Sequence, residues 1–173
     1  LSFLTHIQQN VEVARGLPQP MFRKQEVADD IHGDEGLGNV KWSEPGFEAS
    51  KRGAIEAMRE TLMHAAEPIT IVATGPLTNV AALLFAHPEV KPFIKQISWM
   101  GGAAVGGNMS TTAEFNAYVD PHAAEIVLRA GVPIMMSGLD VTNKAYITRD
   151  EMARLRTLCT PFAEKVADMM TFY

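Results

Sequence analysis

Three short apolar runs limit what this chain can fold into. "ITIVAT" (69–74), "IKQISWM" (94–100) and "VPIMMSG" (132–138) are short, apolar and bounded by turn residues, as buried strands are. Helical signals separate them. "GPLTNVAALLFAHP" reads as a turn and then an apolar helix stopped before Pro88. Asp120-Pro121 reads as an N-cap and a first helical position, and "HAAEIVLRAG" completes that helix with Gly131 as its stop. Strand and helix alternate, which calls for parallel pairing through crossover helices. The expected fold class is therefore α/β: an open, mainly parallel sheet with helices on both faces. Ligands of such sheets bind beyond the carboxyl ends of the strands. A polar loop follows each of the three runs: "TGPLTN", "GGAAVGGN" and "SGLDVTN".

The flanking segments carry weaker signals. Leu1, Leu4 and Ile7 make a helical stripe, and "VEVARG" alternates as a short strand does. "VADDIHGDEGLGNVKWSEPG" has no period and many glycines, so it reads as a long loop, a kind that is uncommon unless functional. Phe47 to Ala66 reads as a helix. Thr148 with Glu151 forms a capping-box pattern, and after Pro161 a last helix is expected to run to Tyr173.

At 173 residues the chain reads as a single domain, 1–173. Basic residues are few and scattered and the net charge is -5, so nucleic acid is not an expected partner. No apolar run reaches the roughly 20 residues of a membrane helix. One cysteine, Cys159, excludes a disulfide framework within the chain and fits a reducing, cytoplasmic setting; the residue itself reads as core. Leu1 opens inside an apparent helix without a leader pattern, and "ADMMTFY" ends abruptly, so both ends are expected to be cut.

The chemistry concentrates in "GGNMSTTAEFNAYVDP", where Asn108, Glu114 and Asn116 stand close together beside paired glycines. The glycine-rich stretch lacks the Lys-Ser/Thr of a phosphate loop. Asparagine offers donor and acceptor, and glutamate accepts from hydroxyls, a mixture that suits a sugar. The same residues in glycine-rich loops also bond nearby backbone, and both readings stand. Asp120 reads as an N-cap rather than a catalyst. Asp29, Asp30, Asp34 and Glu35 lack EF-hand spacing and read as a solvated acidic loop. The methionines read as packing.

"ATGPLTNVAALL", "SWMGGAAVGGNMSTTAEFNAYVDPHAA" and "GLDVT", with "IHGDEGLG", resemble the nucleoside hydrolases of the inosine–uridine preferring family in order and spacing. The resemblance implies hydrolysis of the N-glycosidic bond of ribonucleosides to base and ribose, dependent on calcium. It implies that the main-chain carbonyl of Thr74 is a calcium ligand and that Met100 lines the ribose pocket. Asn108, Glu114 and Asn116 would bond ribose hydroxyls, and His32 would lie near the base. It also implies a ribonucleoside substrate and a homo-oligomer. The family's opening "D-x-D-x-x-x-D-D" cluster and its later His-Asp pair do not occur here. No catalytic residue is therefore assigned within the chain. The 173 residues are expected to be part of a larger nucleoside hydrolase domain, incomplete at both ends and inactive alone. The alternative is a non-catalytic truncated module that binds sugar or partner chains.

Overall fold

The computed structural model describes residues 1–33, 36–38 and 40–172. Asp34, Glu35 and part of the "IHGDEGLG" loop thus lie outside the described residues, as does Tyr173. The helices, in chain order, are α1 (Ser2–His6), α2 (Asp29–His32), α3 (Ala54–Met63), α4 (Thr78–Ala86), α5 (Phe115–Val119), α6 (Pro121–Leu128), α7 (Leu139–Thr142), α8 (Arg149–Arg156) and α9 (Pro161–Phe172). The strands are β1 (Ile69–Ala73), β2 (Ile94–Met100) and β3 (Ile134–Ser137). The chain forms two compact units. One comprises Ala14–Gln25 and Lys51–Ala145, the other Leu1–Val13, Glu26–Ser50 and Tyr146–Tyr173.

The first unit holds the sheet, an open parallel one in the order β1-β2-β3. Ile71, Ile97 and Ile134 are in register across it, as are Ala73, Trp99 and Met136. Alternation puts these residues on one face. There Ile97 and Trp99 are buried with Val80, Leu83 and Leu84 of α4, Ala123 and Val127 of α6, and Leu62 of α3. Each fully buried Val, Leu or Ile side chain contributes about 1.5–3 kcal/mol of apolar burial. A 3-10 turn, Pro88–Phe93, joins α4 to β2 and buries Val90. Helices α3, α4 and α6 supply the helical side of this core. The opposite face carries Val72 and Met135, 70% and 55% exposed.

Three of the expected elements need correction. "VEVARG" forms no strand: among its described residues there is one isolated bridge, Arg15 with Gly53, and alternation without a partner strand does not make a sheet. The same bridge explains why the helix expected from Phe47 begins at Ala54, since Gly53 is held extended beside Arg15 and Ala54 N–H donates to the Arg15 carbonyl at 2.8 Å. The long loop contains a short helix, α2.

The second unit packs α8 against α9, with Arg156 paired to Asp168 at 2.7 Å. The expected capping box is present: Thr148 accepts from Glu151 N–H, and the Glu151 carboxylate accepts from Thr148 N–H at 2.8 Å. Phe3, His6, Trp42 and Phe162 form an aromatic cluster with Lys165 over the Trp42 ring. Cys159 is exposed, not core, because it lies in the turn between α8 and α9 with φ 51. No helix among the described residues is long and apolar enough to cross a membrane.

Candidate functional site

The parallel sheet places its three polar loops after the carboxyl ends of adjacent strands, and the second is the most elaborate. It leaves β2 through Gly101 and Gly102. A Cβ on Gly101 would lie 2.1 Å from the Trp99 ring, so only glycine fits there. Gly102 has φ 69, the left-handed region glycine enters freely. The loop then closes on itself at Gly107, where a Cβ would come within 2.4 Å of Ala113 N and Ser110 O. It ends at the start of α5.

Glu114 is the N-cap of α5 and is buried, 2% exposed. One carboxylate oxygen accepts from Asn116 N–H at 2.9 Å; the other accepts from Gly102 N–H at 2.8 Å and Ala117 N–H at 3.1 Å. It thereby ties both ends of the loop together and satisfies donors that the helix start leaves open. Asn108 adds a further bond, its Oδ1 accepting from Phe115 N–H at 2.8 Å. Its side-chain amide donors are not part of that bond, and the residue is exposed.

Asn116 reaches back over the sheet. Its Nδ2 donates to the Met100 carbonyl at 3.0 Å and lies 3.2 Å from the Met100 sulfur and 3.4 Å from the Thr74 carbonyl. The carboxyl ends of β1 and β2 are thus bridged by one side chain. Four residues further along each segment a second bridge occurs: Thr78 Oγ1 donates to Asp120 at 2.7 Å. Asp120 is fully buried and also accepts from Met21 N–H and Ala123 N–H, both at 3.0 Å. It is the N-cap of α6, as the sequence indicated.

The third loop contacts the second. Leu139 N–H donates to the Gly102 carbonyl at 3.1 Å, and the Asp140 carboxylate accepts from Ala104 N–H at 3.0 Å. That backbone donor, with the N–H of Asp140 itself, holds the Asp140 carboxyl below its ordinary range. Sequence reasoning passed over Asp140; its signal was an acid in the first turn of a helix directly after Gly138.

Of the six residues singled out from the sequence, Thr74, Met100, Asn108, Glu114 and Asn116 meet around the start of α5. His32 belongs to the other unit; it closes α2 and is exposed, its carbonyl accepting from Gly38 N–H at 2.9 Å. The residues present do not fit a tightly held calcium ion. Thr74 offers one neutral carbonyl, which faces the Asn116 amide donor. Among the described residues no group of three or more His, Cys, Asp or Glu stands where it can hold a metal. Calcium takes 6–8 oxygen ligands, several of them anionic.

Comparison with known proteins identifies the family. The profile of the inosine-uridine preferring nucleoside hydrolases matches residues 1–173. The chain is 45% identical over 164 residues to the pyrimidine-specific ribonucleoside hydrolase RihA of Salmonella enteritidis, covering 95% of this chain and 53% of that protein. The corresponding Escherichia coli protein is 46% identical over the same length. Among solved structures, the purine-preferring ribonucleoside hydrolase of Gardnerella vaginalis superposes with a TM-score of 0.90 at 36% identity, covering 94% of this chain and 53% of that one. A plant nucleoside hydrolase superposes with a TM-score of 0.89 at 30% identity, covering 100% and 55%. The chain spans about half the length of the curated relatives it matches. With the whole of its length matched and the strand-end loops in place, the chain belongs to the inosine-uridine preferring nucleoside hydrolase family.

Proposed function

We propose that these residues supply the ribose-binding part of a nucleoside hydrolase that cleaves the N-glycosidic bond of ribonucleosides. The single observation that carries this is the convergence of Asn108, Glu114 and Asn116 at the carboxyl ends of β1 and β2, beside Thr74 and Met100. The exposed Asn108 amide and the Asn116 side chain face hydroxyls of the sugar, with Met100 against the ring. Glu114 holds the loop in shape and takes a hydroxyl on its remaining acceptor capacity.

Cleavage of such a bond passes through an oxocarbenium-like state. Side chains that grip the flattened sugar better than the relaxed one lower the barrier, and amide and carboxylate oxygens near the ring favour the growing positive charge. For His32 the family resemblance suggests a place near the base. Calcium would take one ligand from this chain, the Thr74 carbonyl. It further takes residues 1–173 as part of one larger domain, in a homo-oligomer, and holds the 173-residue chain inactive alone.

A second reading has an observation in its favour. Each of Asn108, Glu114 and Asn116 bonds backbone groups, as residues of a non-catalytic module would. Two assays separate the readings. The isolated chain is given inosine and uridine with calcium, and no turnover above buffer is expected; clear turnover overturns the claim of inactivity. The matched portion of the Salmonella enteritidis relative is then replaced by these residues. A folded chimera that hydrolyses uridine supports the ribose-binding role, and a folded chimera without activity overturns it.

A further inference from the structure

Asp140 lies outside every role assigned so far, yet it joins two loops of the candidate site. Its carboxylate accepts from Ala104 N–H at 3.0 Å, two residues beyond the carbonyl of Gly102 that Leu139 N–H holds at 3.1 Å. The backbones also approach closely: a Cβ on Gly138 would sit 2.8 Å from Gly102 O and 3.2 Å from the Ala103 Cα. The glycine loop is therefore gripped at two points. Glu114 holds Gly102 N–H from the α5 side, and Asp140 holds Ala104 N–H from the third loop. Between Ala104 and Asn108 the chain runs through Val105, Gly106 and Gly107, with Val105 84% exposed and Gly106 at φ 76. Gly106 accepts many backbone conformations, so the position of Asn108 depends on where Ala104 is fixed.

We propose that Asp140 is a positioning residue that latches the Gly102–Gly107 loop and so sets where Asn108 stands in the site. It touches no substrate; it acts through Ala104. The latch rests on the ribose-binding reading for its purpose, and on the two inter-loop bonds for its existence. Asp140 is exposed, so its replacement leaves the buried core intact. Lys144, one helical turn on, is the charged neighbour that favours the ionised form.

The test uses the 15N-labelled chimera described above as wild type, Asp140→Ala and Asp140→Asn. Asp140→Ala is expected to raise hydrogen exchange at the Ala104 amide at least about tenfold and to shift the Asn108 side-chain amide signals. The Asn116 and Ala117 amides, held by Glu114, stay unchanged. Asp140→Asn, whose amide oxygen still accepts, recovers most of the protection. Unchanged exchange at Ala104 overturns the latch, and so does an equal rise at Asn116 and Ala117, which reports general loosening. D-ribose is then added to wild type and Asp140→Ala. A weaker Asn108 response in the variant ties the latch to the sugar, and equal responses overturn that tie. If ribose perturbs neither protein, the ribose-binding reading fails, while the exchange data still decide whether Asp140 positions the loop.

Discussion

Replacing Asp120 by alanine should damage the sheet-bearing unit more than any change at the loops themselves. The Asp120 carboxylate is fully buried and accepts three bonds: Thr78 Oγ1 at 2.7 Å, and Met21 and Ala123 N–H at 3.0 Å each. Truncation leaves three donors without a partner inside the fold. Each buried unsatisfied group costs about 1–3 kcal/mol, and loss of an N-cap is part of the Ala123 share, typically about 1 kcal/mol. Three donors between the low end and the middle of that range, less some relief from no longer burying a carboxylate, give a destabilisation of about 3–5 kcal/mol. Asp120→Asn keeps the oxygen that Ala123 uses but turns an NH2 group toward Met21 N–H and the Thr78 hydroxyl. The hydroxyl can rotate to accept; the N–H cannot, so about 1–3 kcal/mol is expected. Urea unfolding followed by circular dichroism reads both variants. A loss under about 1 kcal/mol for Asp120→Ala would refute the view that this residue ties the first loop to the helix following the second.

Gly101→Ala drives a Cβ into the Trp99 ring at 2.1 Å. It should cost about 1–3 kcal/mol as overpacking and alter Trp99 fluorescence as its bond to the Gly75 carbonyl breaks. Leu83→Ala, at a site with no exposure in the α4 core, should cost about 2–5 kcal/mol in the same unfolding experiment. Glu151 is held below the usual glutamate value, 4.5, first by the Thr148 N–H and then by its hydroxyl. The folded state thus binds this proton less readily than the unfolded one. The capping box therefore stabilises α8 fully above the ordinary glutamate range and fades as pH falls through the lowered folded value. Hydrogen exchange at Glu151 and Met152 between pH 6 and pH 3 should show protection lost on the acid side.

The sheet was legible because its signals are local. Ile69 to Ala73, Ile94 to Met100 and Ile134 to Ser137 are apolar runs that end in glycine or polar residues, and Pro121 after Asp120 marks a helix start without help from elsewhere. The elements that were missed depend on partners distant in sequence. Residues 11–16 alternate well, but their bridge is with Gly53, and pairing is not written in one strand. The α5 helix has five residues and a glutamate as its cap, a residue type less usual there than Ser, Thr, Asp or Asn. Cys159 reads as core by residue type, but the turn between Arg156 and Pro161 carries it to the surface. Within the site, residue types pointed to Asn108, Glu114 and Asn116 and to bonds with nearby backbone, whereas the reach of Asn116 to Met100 and Thr74 depends on the packing of α5 over the strand ends. Asp140 carried almost no sequence signal, because its acceptor role is defined by Ala104, 36 positions earlier.

The most direct measurement is kcat/KM for uridine in the chimera that carries these residues, with and without Asn116→Ala. The Asn116 amide bridges the Thr74 and Met100 carbonyls at the strand ends. The account predicts a loss of about 2–4 kcal/mol in transition-state stabilisation, roughly 30- to 1000-fold, in a variant that circular dichroism shows to be folded. A folded variant with near wild-type kcat/KM would contradict it.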